Sequence, residues 1–304
     1  MGDHVHHKGE WMVSYRAMRM SMEGNQDGTS DISPEEIVSS NPLRVVPTEM
    51  TMDMHMFGAM VAPTDRFTLM VMTSYVEKEM DHITFAGPMG TVRRGEFTTR
   101  TRGFGDTSVS ALIRLTQGHT NRWHATLGVS LPTGSVDETD RILTPMGTTP
   151  EPRLPYPMQL GSGSTDLITG LTYASDHGRW GWGGQWRSVL RLQDNDEDYR
   201  LGDEHRLQGW LSYRVQPWVS VSARLAFYDR GNIDGRDPRI AAPVQTADPD
   251  RQALERWDLQ LGANVVLPGS HRLALEFGRP LRQKLDGPQM ETDWTLTLGW
   301  QLSL

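Results

Sequence analysis

Apolar and polar residues alternate with a period of two along nearly the whole chain, and this pattern limits the fold more than any other feature. Segments such as RWHATLGVSL (122–131) and DWTLTLGWQLSL (293–304) place an apolar side chain at every second position. Because successive side chains of a strand point to opposite faces, the alternation predicts strands with one apolar and one polar face. Segments of this kind begin near residues 10, 49, 66, 103, 121, 160, 179, 200, 218, 255, 271 and 291.

The connections between these segments alternate between short and long. The short ones are APTD, QGHTN, SDHG, QPW and PGSH, and the long ones include 24–49, 85–95, 133–158 and 231–254. This is the pattern of an outer-membrane barrel, whereas a soluble sandwich need not sort its turns by length. The predicted fold is therefore all-β: residues 10–304 form a 12-stranded antiparallel up-and-down transmembrane β-barrel with short periplasmic turns and long outer loops. Residues 1–9 are predicted to be a His-rich periplasmic segment.

Composition narrows the remaining classes. The 304 residues carry a formal charge of -8 and no cysteine. No stretch approaches the roughly 20 apolar residues of a spanning helix. The acidity is spread along the chain, so no nucleic-acid partner is expected. The start, MGDHVHHKGEW, does not read as a signal peptide. We therefore expect a protein of the bacterial outer membrane whose leader is absent from this sequence.

Methionine is concentrated near the start of the chain. Fourteen of the 17 methionines lie in the first 89 residues, as in MTMDMHMFGAM (50–60). Within the first three predicted strands they occupy one face, while the opposite face carries lipid-compatible residues such as Trp11, Phe57 and Leu69. The methionines are therefore predicted to point into the lumen.

Thioethers in a column favour soft cations such as Cu(I) or Ag(I), and several weak sites in series let an ion both enter and leave. Histidines near the start add nitrogen ligands for Cu(II) or Zn(II). The candidate metal ligands are His4, His6, His7, Met18, Met20, Met22, Met50, Met52, Met54, Met56, Met70, Met72, Met80 and His82. Two alternatives stay open: methionine as a flexible packing residue, and a channel for small apolar or aromatic solutes.

The predicted lumen face is also charged. Its ionisable residues are Arg16, Lys78, Arg114, Arg187, Arg191, Glu204, Arg206, Arg214, Arg224, Asp258, Arg272 and Glu276. Such side chains are costly on the lipid face and acceptable in a polar interior. We expect them to narrow the passage, either as a structural network or as a selectivity device.

A barrel hydrolase is a further alternative, because a rim pair such as Asp53 with His55, or Asp203 with His205, could begin a catalytic site. Neither pair has a supporting third residue in the sequence. We therefore expect no enzyme activity and no catalytic residues. The expected partners are outer-membrane lipid, a metal ion or small solute, and a periplasmic metal carrier. Copper ions are the expected cofactor, and folding should not require them.

Several stretches resemble the outer-membrane transporter family named after the meta-pathway of phenol degradation. They are the opening GDHVHHKGEWMVSYRAMRMSMEGN, the run MTMDMHMFGAMVAPTDRFTLM, and then FGD (104–106), GVSLPTGS (128–135), LPYPMQLGSGSTDL (154–167), YRLGD (199–203), NIDG (232–235) and LEFGRPL with ETDWTLTLGWQ. The likeness is to a Met/His-rich branch and covers nearly the whole chain. It implies a bacterial outer-membrane barrel and a link to copper handling, while the family's name suggests aromatic solutes. Leu304 departs from the terminal aromatic residue that such barrels favour.

Overall fold

The computed structural model describes residues 4–118 and 120–304, which are mostly antiparallel strands. The long strands are β1 (Trp11–Gly28), β3 (Val45–Thr64), β4 (Phe67–Phe85), β5 (Arg93–Phe104), β6 (Thr107–Gln117), β7 (Asn121–Leu131), β8 (Asp166–His177), β9 (Trp180–Arg191), β11 (Glu204–Gln216), β12 (Val219–Arg230), β14 (Leu254–Leu267) and β15 (His271–Ser303). The outer loops carry the two-residue strands β2 (Ser30–Asp31), β10 (Tyr199–Arg200) and β13 (Asp234–Gly235). They also carry helix α1 (Pro34–Ser40) and three single-turn 3₁₀ helices, Tyr156–Met158, Gln245–Ala247 and Pro249–Arg251.

The sheet closes on itself because β15 pairs with both β14 and β1. Every pairing in it is antiparallel, which confirms the predicted all-β antiparallel barrel. As the strands are delimited here, eleven of the described strands close the barrel, with β2 and β5 as additional members, so the structure does not clearly give the predicted twelve.

The count differs for two physical reasons. The strands predicted from residues 271 and 291 are continuous in β15, because residues 285–290 stay paired with the outer end of β1. The strand predicted near residue 103 is divided into β5 and β6, which pair one after the other with β4. The predicted starts near 49, 160 and 200 move to Val45, Asp166 and Glu204.

The predicted sorting of connections is confirmed. Turns of two or three residues join β3 to β4, β6 to β7, β8 to β9, β11 to β12 and β14 to β15. Long segments join the strands at the other end, namely 29–44, 132–165, 192–203 and 231–253. Helix α1 begins with a capping box in which Ser33 and Glu36 satisfy each other's backbone N–H groups.

Strands β1, β3 and β4 are 18, 20 and 19 residues long, which exceeds the roughly 9 to 11 residues that cross an outer membrane. Near their outer ends the outward side chains form ion pairs instead of an apolar surface. Arg19 pairs with Asp53 at 2.6 Å, and Arg100 pairs with Glu79 at 2.9 Å. These strands therefore continue above the apolar belt, which is why the loop predicted at 24–49 is shorter in the structure.

The two faces of the barrel differ as the alternation predicts. Its outside exposes an apolar belt that includes Trp11, Val13, Phe57, Phe67, Leu69, Val71, Leu127, Val129, Trp182, Leu207, Leu211, Leu259, Leu261, Leu275, Phe277 and Leu298. Its inside buries polar groups such as Thr68, Ser110 and Asp258. The belt matches a surface that faces hydrocarbon. Among the described residues, no helix has the length and apolarity to cross a membrane.

The outer loops pack against one another over the barrel mouth. Val45, Tyr156, Tyr199 and Ile240 belong to one buried apolar cluster, and the rings of Tyr156 and Tyr199 lie 4.9 Å apart. This cluster, together with the ion pairs of the neighbouring loops, covers the outer end and leaves a cavity beneath it.

Candidate functional site

A cavity of about 630 Å³ lies in the outer half of the lumen. One side is formed by β1, β3 and β4, and the facing side by β9, β11, β12 and β14. We call the first side the methionine wall, which consists of Met20, Met22, Met50, Met52, Met54 and Met80. We call the second the arginine wall, which consists of Arg187, Arg206, Tyr228, Arg230 and Arg256.

Strand register builds the methionine wall. Met20 lies opposite Met52, Met18 lies opposite Met54, and Met22, Met50 and Met80 form one row across three strands. Side chains directly opposite each other in an antiparallel pair have Cβ atoms about 4.5–5.5 Å apart. The structure thus places these methionines on the inner face, as the sequence predicts, and Met56 shares that face by its register opposite Arg16 and Ser74.

A second methionine row lies near the periplasmic end and is closely packed. Met12, Met60 and Met70 lie opposite one another and are buried with Leu112, at 1%, 1%, 6% and 0% exposure. Met72 packs against the same cluster. This row packs as a small core, and none of its methionines lines the cavity described above.

The N-terminal histidines lie against this packed row. Val5 contacts the Met12 cluster, and Arg114 donates to the carbonyl oxygens of Val5 and His6 at 3.3 and 3.1 Å. The rings of His4 and His6 are 4.7 Å apart, and His6 is buried with its Nδ1 3.3 Å from a Glu10 carboxylate oxygen. The backbone N–H of His7, together with His6, lowers the pKa of Glu10. Residues 4–8 therefore pack beside the buried methionine row, at the end of the barrel that carries the short turns.

The predicted metal ligands are only partly brought together. His7 pairs with Asp65 at the periplasmic turn, and His82 is buried at the outer end with its ring stacked on Phe97 at 4.6 Å. Neither histidine lies on the methionine wall. Within residues 4–118 and 120–304 no group of three or more His, Cys, Asp or Glu side chains is arranged to hold a metal ion.

Residues 132–165, which we call the lumen loop, cover the outermost methionines. Leu154 and Met158 are fully buried against Met50 and Met80. Lys78 holds the loop by donating from Nζ to the carbonyl oxygens of Pro157 and Gln159 at 2.7 and 2.6 Å.

Asp106 fixes both ends of the lumen loop. It accepts hydrogen bonds from the backbone N–H groups of Gly134 and Ser162 at 3.0 and 2.8 Å, and from the Ser162 hydroxyl at 2.8 Å. Nothing in the residue pattern alone predicts these roles of Lys78 and Asp106. The signals were the segments FGD and LPYPMQLGSGSTDL, which the family resemblance singled out without an explanation.

The arginine wall stacks guanidinium groups on an aromatic ring. Arg187, Arg206, Tyr228 and Arg256 occupy one cross-strand row of the sheet. The Cζ atoms of Arg206 and Arg256 lie 4.7 and 4.8 Å from the centre of the Tyr228 ring. Cation–π contacts of this kind are stronger where water is excluded.

The hydrolase alternative gains no support from the geometry. Asp53 is held by Arg19, and the Nδ1 atom of His55 lies 2.7 Å from the hydroxyl oxygen of Tyr15 on the outer surface. His205 Nδ1 lies 2.6 Å from Ser188 Oγ, whereas the Asp203 carboxylate accepts the backbone N–H of Arg191. Neither predicted Asp–His pair is formed.

Comparisons with known proteins agree with this architecture. A family model described as "Putative MetA-pathway of phenol degradation" matches residues 68–267. The COG4313 outer membrane channel from Pseudomonas putida F1 has a TM-score of 0.68 at 15% identity, over 99% of this chain and 98% of that one. The transport unit of the autotransporter AIDA-I from Escherichia coli gives 0.55 at 10% identity, over 97% and 90%.

A mutant of TodX, a monoaromatic hydrocarbon channel and the toluene transporter of Pseudomonas putida, gives a TM-score of 0.51 at 7% identity, over 98% of this chain and 91% of that one. Among curated proteins none matches the sequence. At 7–15% identity, these structures show a likeness of fold alone. Together with the closed barrel and its apolar belt, these matches place the chain in the bacterial outer membrane.

Proposed function

Since this chain belongs to the MetA-pathway phenol-degradation family, we propose that it is an outer-membrane channel for small apolar solutes, aromatic ones foremost. The observation that carries the proposal is the lumen cavity lined by thioethers. Its volume of about 630 Å³ lies within the roughly 300–1,000 Å³ of small-molecule pockets. Flexible, polarisable methionines adapt to apolar solutes of different shape and contact aromatic rings favourably.

The comparisons favour this proposal over metal transport. TodX carries monoaromatic hydrocarbons, although at 7% identity its likeness to this chain is one of fold alone. None of the comparisons supports a periplasmic metal carrier as partner. The expected partners that remain are outer-membrane lipid and a small solute or metal ion.

Uptake of toluene by intact cells tests the proposal. Cells with this barrel in their outer membrane should take up radiolabelled toluene faster than cells without it, because the lipopolysaccharide leaflet slows apolar solutes. Met54→Trp should fill the cavity and reduce the rate towards that of empty cells, whereas Phe57→Trp on the lipid face should leave it unchanged. Equal rates with and without the barrel would refute the proposed function.

A second candidate is binding of soft metal ions by the predicted methionine ligands, with Cu(I) or Ag(I) as cargo. The observation that favours it is the cross-strand pair of Met20 with Met52, beside Met54, on the wall of the cavity. Thioethers bind soft cations in preference to hard ones. The combined Met52→Leu and Met54→Leu change should reduce Ag(I) bound per barrel, while Met146→Leu at an 86% exposed position should not. Equal silver binding by all three proteins would exclude this candidate.

We further propose that the working barrel has twelve strands, with the two halves of β15 counted separately. Within β15 the side chain of Gln283 exchanges two hydrogen bonds with the backbone of Thr292, and Gly287 has a φ of +76°. The chain therefore reverses near residue 287, where glycine adopts the left-handed backbone at no steric cost. The predicted periplasmic segment 1–9 would then cap one end, although its residues 1–3 lie outside the described part of the chain.

A further inference from the structure

Two arginines on the cavity wall lack a carboxylate partner. Arg187 and Arg206 lie directly opposite each other on β9 and β11, and both line the cavity. Among the described residues, no carboxylate oxygen lies within ion-pairing distance of either guanidinium. The Nε atom of Arg206 is shielded from solvent and has no hydrogen-bond partner. Like charges directly opposite each other on neighbouring strands are destabilising, so this arginine pair lowers the stability of the barrel.

Three other arginines around the cavity are paired with carboxylates, and Arg230 donates to the carbonyl oxygen of Gln252, which sets Arg187 and Arg206 apart. Arg191 pairs with Asp166 and, at 3.0 Å, with Glu204. Arg224 pairs with Glu276 at 3.2 Å. Arg256 pairs with Asp258 at 3.0 Å and also donates to the Thr292 hydroxyl at 2.6 Å.

The carboxylates nearest the pair are therefore already engaged. Glu204, two residues from Arg206 on the same strand and roughly 7 Å along it, is held by Arg191. Asp106, the other acidic group that faces the cavity from the loop side, accepts three hydrogen bonds from the lumen loop. Asp229 also borders the cavity, but it follows Tyr228 on β12, so its side chain points to the opposite face of the sheet from Arg206.

The cavity thus has two walls of opposite character. The methionine wall is apolar and polarisable, and the facing wall presents two unneutralised guanidinium groups beside the Tyr228 ring. Guanidinium is the side chain best suited to carboxylates and similar anions, because its donors form a planar fork. A solute that contacts both walls favourably would carry an apolar ring, which packs against the methionines, and an anionic group at its other end, which pairs with the guanidinium groups.

We propose that the cavity selects aromatic anions, such as aromatic carboxylates or sulfonates. The anionic group lies between Arg187 and Arg206 and the ring lies against Met52 and Met54. This rests on the proposed channel function and narrows its solute class. The anion removes the repulsion between the two guanidinium groups, and the thioethers provide the affinity that a bare inorganic anion cannot gain.

The selection of aromatic anions is tested by equilibrium binding to the folded barrel in detergent at low salt. The probes are benzenesulfonate, benzyl alcohol and inorganic sulfate. Benzenesulfonate is ionised throughout the usable pH range, and benzyl alcohol supplies a ring of similar size without charge. The double variant Arg187→Gln and Arg206→Gln should bind benzenesulfonate at least tenfold more weakly than the original protein and benzyl alcohol equally well. Arg206→Lys should retain most of the affinity for benzenesulfonate, because it keeps the charge.

The matched control is Arg279→Gln, which removes one positive charge from an exposed ion pair with Asp293 outside the cavity. It should leave all three affinities unchanged. Heat-modifiable migration in gels verifies that each variant is a folded barrel.

Equal binding of benzenesulfonate by the original protein and the double variant would overturn the proposal. So would sulfate that binds as tightly as benzenesulfonate, because the methionine wall would then contribute nothing. If benzyl alcohol binds and only the charge dependence is missing, the anion inference fails while the channel proposal stands. If toluene uptake and binding of both ring compounds are absent, the channel proposal itself fails.

Discussion

Replacement of Lys78 by methionine is expected to release the lumen loop from the inner wall. Lys78 donates two hydrogen bonds, to the carbonyl oxygens of Pro157 and Gln159 at 2.7 and 2.6 Å. Methionine has a similar length and keeps the apolar part of the side chain in place. The change therefore removes the ammonium donor while altering the packing little.

The size of the effect follows from the two bonds. A hydrogen bond to a charged group contributes about 1.5–3 kcal/mol, so two of them set an upper bound of about 3–6 kcal/mol. The released carbonyl oxygens can accept water from the cavity, and the free ammonium in the open state is solvated, so we expect about 2–3 kcal/mol. Because about 1.4 kcal/mol is a factor of ten, loop opening should become roughly 30- to 150-fold more frequent.

Thiol labelling measures this opening directly, because the chain has no cysteine of its own. Met158 and Met146 both belong to the lumen loop, but Met158 is fully buried against the inner wall and Met146 is 86% exposed. A Met158→Cys protein should react with a maleimide roughly 30- to 150-fold faster when Lys78→Met is added. A Met146→Cys protein should react at one rate with either residue at position 78, since its thiol is always accessible.

An unchanged rate at position 158 would refute the view that Lys78 holds the loop. Acceleration at both positions would instead indicate a general loosening of the barrel. The comparison is made within the Met158→Cys background, so the packing cost of the cysteine itself cancels.

Three further predictions concern the periplasmic end. Arg114→Gln should release residues 4–8, which Arg114 holds by two carbonyl oxygens, and should raise single-channel conductance in planar bilayers; an unchanged conductance would contradict a capping role. The pKa of Glu10 lies below its ordinary value of 4.5, chiefly because the His7 N–H donates to it. The hydrogen bond from His7 to the Glu10 carboxylate is therefore intact above pH 4.5 and is lost as the pH falls through the lowered pKa of Glu10 in the folded protein. Acid should open the channel, and Glu10→Gln should remove that response. Met60→Ala should lower the free energy of unfolding by about 2–5 kcal/mol in denaturant titrations, against less than about 0.5 kcal/mol for Met146→Ala; similar small losses in both would show that the buried cluster is poorly packed.

The barrel could be predicted because its two signals are local. Period-two alternation assigns faces within each strand, and the length of each connection assigns its side of the membrane. Strand ends were less predictable, as in β1 and β3, where paired charges such as Arg19 and Asp53 extend the sheet beyond the apolar belt. An ion pair across two strands depends on how the strands are aligned with each other, and the sequence of either strand alone does not determine that alignment.

The candidate site was predicted in part. The inner face of Met20, Met52 and Met54 follows from alternation alone, but their access to a cavity does not. Met12, Met60 and Met70 have the same pattern and are buried with Leu112. The two groups of methionines differ in the distant segment that packs on each of them. Such long-range contacts produce no periodic pattern in the sequence.

The sequence alone determined the faces of the strands, the alternation of turns and the inward direction of the methionines, because each depends on neighbouring residues and on the two-residue repeat of a strand. Tertiary structure decided which inward groups are neutralised. Arg191 and Arg206 look alike in the sequence, but only Arg191 meets Asp166 and Glu204, while Arg206 faces Arg187 and the cavity. That difference is set by the closure of the sheet and the path of the loops, since both bring together residues that are far apart in the chain.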